Sequence, residues 1–261
     1  MKFASPAVAL ELHLRACANV TCLGVRPNFS DYPAEDAAII RDAAKIYYPS
    51  TFYADMFAAM GKPIFPSAHT YRFVQDKIKQ SALFAMLNVP RPQTRAFYGR
   101  RREEKILAHF RFPVVGKIPR GSALGRGVYL IENADDLAAY CDLTKVAYIQ
   151  EYLPIDRDIR VVIIGDAVAL AYWRIASPGE FRSNLACGGR ISLDNVPAEA
   201  CELALDTARW CGWNDVGVDV CVCNGRYYVL EANMKYGKTG FARAGIDYAK
   251  MMEAKIGNGE I

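Results

Sequence analysis

The sequence predicts a mixed α/β (α+β) chain of two domains, and three stretches carry that prediction. Over the first third, short apolar runs alternate with helix-spaced segments, the pattern of a small parallel sheet. Residues 159–175 and 217–233 each alternate apolar and polar side chains on either side of a Gly-Asp or Asn-Gly turn, as antiparallel hairpins do. A glycine-rich run, Gly121-Ser122-Ala123-Leu124-Gly125-Arg126-Gly127, stands between two further strand-like segments.

In chain order, the spacing predicts a helix over Pro6 to Cys17, a strand over Val20 to Val25, a helix over Pro33 to Ala44 and a strand over Lys45 to Tyr48. A helix over Thr51 to Met60 stops at Gly61, and the short strand Pro63 to Phe65 leads to one long helix from Ser67 to Leu87, ended by Asn88-Val89-Pro90-Arg91-Pro92. The character of the chain changes near Gln75, which divides it into 1–75 and 76–261. A helix over Arg101 to Phe110, strands Pro113 to Lys117 and Val128 to Ile131, a helix over Asp135 to Cys141 and the strand Val146 to Tyr152 form a block small enough to move as a lid, over about 94–150. After the first hairpin, a loop containing Phe181-Arg182-Ser183-Asn184-Leu185 leads to Gly188-Gly189-Arg190, the helix Ala198 to Cys211, the second hairpin, and a closing helix to about Lys255.

Composition excludes several functions. The 261 residues carry a net charge of only +4 with signs mixed, and the run Arg100-Arg101-Arg102 is followed at once by Glu103-Glu104, so nucleic acid is not an expected partner. No window is apolar for long enough to span a bilayer, and Glu11, His13 and Arg15 interrupt any signal-peptide core. Eight cysteines without a Cys-x-x-Cys pair read as reduced thiols of a cytoplasmic protein. His13, His69 and His109 are scattered, which excludes a zinc cluster or a Ser-His-Asp triad.

The second hairpin carries chemistry. A two-residue Asn224-Gly225 loop with regular pairing would put Asp219 on the opposite face from Glu231 and Asn233. A three-residue loop, Cys223 to Gly225, instead pairs Asp219 with Val229, diagonal to Glu231, and pairs Val218 and Val220 with Leu230 and Tyr228. Asp219, Glu231 and Asn233 then share one face, an oxygen-rich set suited to a hard divalent cation that also binds phosphates. An ordinary polar sheet face fits the hairpin alone equally well.

The glycine loop between Lys117 and Arg126 can fold its amides over a polyphosphate, and Lys77 and Lys117 can supply positive charge to it. Gly237-Lys238-Thr239 is not a phosphate loop of the strand-GxxxxGK[ST]-helix type, because Ala232 stands where the first glycine is required. Arg160, Arg174 and Arg182, with Asn184, surround the same predicted sheet and suit phosphate and carboxylate oxygens.

Taken together, Asp76-Lys77, Val114 to Lys117 before the glycine loop, Gln150-Glu151-Tyr152, Asp158-Ile159-Arg160, Phe181 to Leu185 with Gly188-Gly189, Gly217-Val218-Asp219, Leu230-Glu231-Ala232-Asn233 and the segment Thr239 to Met252 resemble, in order and spacing, an ATP-grasp enzyme of the RimK-like branch. The resemblance spans roughly Phe52 to Ile256. It implies an ATP-grasp fold with a small, shortened Rossmann-like pre-ATP-grasp domain, and an ATP-dependent carboxylate-amine ligase working through an acyl phosphate. It further implies that Lys77, Lys117 and the loop residues Gly121, Ser122, Gly125 and Gly127 contact phosphates, that Glu151 and Tyr152 line the adenine pocket, and that Asp158 holds the ribose. Arg182, Ser183 and Asn184 would approach the triphosphate. Asp219, Glu231 and Asn233 would bind two Mg²⁺ ions, with Mn²⁺ as a substitute, and Arg160 and Arg174 would clamp the acyl phosphate. The substrates implied are a small-molecule or peptide carboxylate and an amino-acid amine; a homo-oligomer is left open. After Asn233 the family usually continues with a small residue, serine and proline, whereas Met234-Lys235-Tyr236-Gly237 stands here, so the resemblance does not describe the acceptor pocket. An ATP-binding partner protein without ligase chemistry, or a phosphotransferase without ligation, is the alternative.

Overall fold

The computed structural model describes residues 7–121 and 127–261. Among them stand three sheets. The first is parallel, with β1 (Ala7–Ala9), β2 (Val20–Cys22), β3 (Ile46–Tyr47) and β4 (Ile64–Phe65) in the order β2-β1-β3-β4. Helices α1 (Ala34–Asp42) and α2 (Ser50–Ala59) bury Ile40, Tyr53 and Phe57 with Val8, Leu10 and Ile46. The helix expected over Pro6 to Cys17 is therefore not formed: its apolar start is β1, and only a 3₁₀ turn at Leu12–Leu14 follows. A short buried run cannot be assigned by periodicity alone, and here pairing on both edges decides it.

The long helix expected from Ser67 to Leu87 is two, α3 (Ala68–Arg72) and α4 (Lys77–Met86). Gln75 takes a left-handed backbone (φ 53°) between them, and the Asp76 side chain accepts from Lys79 N at 3.0 Å, starting α4 afresh.

The second sheet is antiparallel and comprises β5 (Thr94–Tyr98), β6 (Val114–Lys117), β7 (Val128–Ile131) and β8 (Val146–Glu151), in the order β5-β8-β6-β7. Helices α5 (Arg102–His109) and α6 (Ala134–Leu143) close its core through Ile106, Leu137 and Tyr140. Sequence periodicity missed β5, an edge strand whose Arg95 and Tyr98 face solvent.

The third sheet has the order β11-β10-β9-β12-β13, built from β9 (Arg157–Ile164), β10 (Ala167–Ile175), β11 (Arg190–Ser192), β12 (Asp215–Cys223) and β13 (Arg226–Asn233). Ile159, Val161, Ile163, Val216, Val218 and Val220 face α7 (Ala198–Cys211), whose Ala200, Ala204 and Ala208 let it lie close. The opposite face is divided. Val162, Ile164, Leu170 and Tyr172 pack under Tyr47 and Phe65 of the first sheet and under Phe241 and Met252 of α8 (Thr239–Arg243) and α9 (Tyr248–Gly257). Its other end is polar and looks toward the second sheet. No helix among the described residues is long and apolar enough to cross a membrane.

Candidate active site

The polar end of the third sheet is assembled by strand register. Arg160 of β9 lies opposite Tyr172 of β10 and Asp219 of β12, and Asp219 lies opposite Glu231 of β13, so one cross-strand row carries the charges. The next row sets Arg174 opposite Asp158.

The hairpin reaches this register differently from the expectation. Asn224 and Gly225 form a two-residue turn with φ of 51° and 72°, and Cys223 pairs with Arg226. Parity is restored by a bulge further on: Val220 pairs with Val229 but Asp219 with Glu231, which leaves Leu230 as the extra residue. Val218 consequently faces Ala232, not Leu230, and Val220 faces Val229, not Tyr228. The bulge brings Asp219 directly opposite Glu231. Asn233 Nδ2 donates to Asp219 Oδ2 at 3.1 Å and to Glu231 Oε1 at 3.3 Å, so the three side chains converge.

Two arginines complete the cluster. Arg174 Nε and Nη2 each donate to Asp158 at 2.7 Å, and Arg174 Nη2 also reaches Asp219 Oδ2 at 2.8 Å. Arg160 forks onto Asp219 through Nε and Nη2. Two aspartates and two arginines, all buried, neutralise one another. Asp158 also accepts from Ser183 Oγ at 2.6 Å, so both of its oxygens are engaged and it orients Arg174.

Across the cleft stand the lysines. Lys77 opens α4, its N–H donates to Pro119 O at 3.0 Å, and its Nζ is 3.9 Å from Glu231 Oε2. Arg120 pairs with Asp76 at 2.9 Å, which ties that helix start to the second sheet. Lys117 is buried on β6; desolvation pushes its ammonium down and Lys77 adds to this, while Glu231 opposes. Burial alone would raise the carboxyl of Glu231, but Lys77 and Lys117 hold it at about 2.

A cleft runs between the second and third sheets and is lined by Lys117, Glu151, Tyr152, Arg182, Ser183 and Asn184 as well as Asp158, Arg174, Asp219 and Glu231. Glu151 N and Oε2 both bond the Gln93 backbone, which fixes the strand end beside Tyr152. Arg182 lines the cleft, with its guanidinium on Glu180 at 2.7 Å; that hydrogen bond holds Glu180 at about 2. Gly121 and Gly127, both with positive φ, flank a segment whose Ser122 and Gly125 lie outside the described residues. Sequence reasoning missed the apolar walls, Val115, Val128, Leu153, Ile155, Phe181 and Leu230. Strand parity signals Val115 and Val128; Leu230 needed the bulge. Flat apolar walls above a charged floor suit a planar base joined to phosphates.

Asp219, Glu231 and Asn233 offer two carboxylates and an amide to a hard cation, and this donor set fits Mg²⁺. In this structure the Asn233 amide nitrogen, not its oxygen, faces the carboxylates.

Known proteins share these features. A model of the RimK-like ATP-grasp domain matches residues 74–256. The chain is 30% identical over 241 residues to a probable alpha-L-glutamate ligase 1 of Shewanella frigidimarina, covering 89% of this chain and 79% of that protein. It is 30% identical over 229 residues to a ribosomal protein bS6–L-glutamate ligase of Escherichia coli O139:H28, covering 84% and 76%. A crystal structure of D-alanine–D-alanine ligase from Bacillus anthracis complexed with ATP shares the fold, with a TM-score of 0.70 at 15% identity over 97% of this chain and 96% of that one. With the charged row, the facing lysines and the cleft between two sheets, these matches place the chain in the RimK-like ATP-grasp family, as an ATP-dependent ligase that joins a carboxylate to an amine.

Proposed function

We propose that the chain adds an amino acid through its amine to the carboxylate of a peptide or small acid, by way of an acyl phosphate, with two Mg²⁺ ions at Asp219, Glu231 and Asn233 and Mn²⁺ able to replace them. The observation that carries this is the convergence of those three side chains beside Arg160 and Arg174, opposite Lys117. A bound cation would neutralise phosphate charge. Lys77 and Lys117 hold the polyphosphate, Tyr152 and the apolar walls hold the base, and Arg182, Ser183 and Asn184 face the transferring end. Arg160 and Arg174 receive the substrate carboxylate and the phosphoryl group, positioned by Asp158 and Asp219. Catalysis of this kind rests on placement and charge, which is why no nucleophile is required. The names of the relatives support glutamate as the first amine to try, and an ATP-using protein with eight free thiols suits the cytoplasm.

The test is release of ADP and phosphate from purified full chain with Mg²⁺, across a panel of acids and amino acids, with the product's mass measured. Turnover should need both an acid and an amine, and Glu231→Ala should lower it by about 100-fold or more. Tight ATP binding without turnover would favour the nucleotide-binding partner, and a stable phosphorylated product made without amine would favour phosphotransfer.

A further inference from the structure

A second cleft opens further along the same face of β12. Asp215, Gly217 and Asp219 alternate onto that face, so Asp215 lies four residues along the strand from the charged row, two steps on the same face. Its other wall is the carboxyl end of the parallel sheet, where Glu11 and His13 follow β1 and Tyr48 follows β3.

Gly217 lies on β12 between Asp215 and Asp219. A Cβ there would lie 2.8 Å from Arg160 Cδ and 3.2 Å from Tyr236 Cβ, so the absence of a side chain lets Arg160 and Tyr236 meet over the strand. Tyr236 Oη donates to Asp215 Oδ1 at 2.5 Å. Tyr236 lies in Met234 to Gly237, the segment in which the chain departs from its family's pattern.

The surroundings suit a cation. Asp215 is buried, and the hydroxyls of Tyr48 and Tyr248 lie 3.4 Å apart beside it. The Tyr71 hydroxyl, on the same cleft, is buried with no hydrogen-bond partner among the described residues. At the rim, Lys238 Nζ rests 3.9 Å from the centre of the Tyr248 ring, so an ammonium is already stabilised there. Burial pushes the Asp215 carboxyl up to about 6, while the hydroxyls of Tyr236 and Tyr48 and the charges of His13 and Lys238 pull it back. A carboxylate of that basicity can take a proton near neutral pH.

We propose that Tyr236 and Asp215 form the amine site of the ligase: the Tyr236 hydroxyl receives the ammonium of an amino acid, and its proton passes through that hydroxyl to the Asp215 carboxylate. The freed amine then attacks the acyl phosphate held at Arg160. A carbon–nitrogen bond forms, the bond from the acyl carbon to the phosphate oxygen breaks, and the second ammonium proton leaves with the phosphate as hydrogenphosphate. Asp215 returns its proton to solvent. Lys235 and His13 on the cleft give the amino acid's carboxylate a partner. The proposal rests on the ligase reading and adds the residues that select and deprotonate the amine.

The test compares two amines, with ATP, Mg²⁺ and the dipeptide of L-glutamate as the acid. L-glutamate must lose a proton before it can attack, whereas hydroxylamine is largely neutral at pH 7 and traps the acyl phosphate as a hydroxamate. In Tyr236→Phe and Asp215→Asn, the ratio of amide to hydroxamate formed should fall about 100-fold, the usual contribution of a placed acid or base. Tyr236→Phe keeps the ring and its packing, so it remains informative where Asp215→Asn fails to fold. A ratio unchanged from the parent, or equal loss of both products, overturns the proposal. No hydroxamate from the unaltered protein with this dipeptide or with any other acid of the panel would instead remove the ligase reading, and this inference with it.

Discussion

Glu231 shows how one residue is set by its neighbours. Its carboxyl is held at about 2 by Lys77 and Lys117 against the opposing effect of burial. In the unfolded chain a glutamate titrates near about 4.3. A depressed native value means that the folded state binds the proton less readily, so this carboxylate contributes stability above about pH 4.3 that is lost as the pH falls toward 2. Urea midpoints measured from pH 5 to pH 3 should therefore fall more steeply in the parent than in Glu231→Gln. That Glu231 and Asn233 share a face could be read from alternation along β13; that Asp219 joins them rests on the bulge at Leu230, which the expected three-residue loop did not describe. That Asp219 also carries two arginines could not be read, because Arg160 and Arg174 reach it from other strands and only the sheet order makes them neighbours.

Among the elements, the bulge at Leu230 matters most, since one extra residue turns Glu231 toward Asp219. Gln80 of α4 pins the strand just beyond it: its Nε2 donates to Ala232 O at 2.9 Å, and its Oε1 accepts from Ala232 N at 3.1 Å. Gln80→Leu would strand both buried groups, and a loss on the order of 3 kcal/mol in urea unfolding is expected, with weaker ATP binding in calorimetry. Gly217→Ala should push Arg160 away from Asp219 and cost about 1–3 kcal/mol, with ligation falling more than the stability loss explains. Hairpins and the amphipathic α7 were legible because their period repeats over many residues. The three-residue β1 was not, and neither was the break at Gln75, where Lys77 N bonds Pro119 O in a distant segment.

For the whole molecule, the cleft proposed for the nucleotide lies between two sheets whose cores are separate, Phe97 to Ile149 in one and Ile159 to Val229 in the other. A ligand bridging separately packed bodies should stabilise both together. Adding a non-hydrolysable ATP analogue with Mg²⁺ should slow amide hydrogen exchange in β6, β8 and β13 alike; protection confined to one sheet would count against binding between them. The sequence by itself determined which side chains share a face within each strand, where the turns fall and which motifs stand in family order, because these depend on local periodicity and backbone preference. Only the tertiary structure decided which faces meet: Arg160 on Asp219, Lys77 beside Glu231, and Tyr48 beside Asp215 and Tyr236. Such meetings follow from sheet order and from packing between segments far apart in the chain, which no local period encodes.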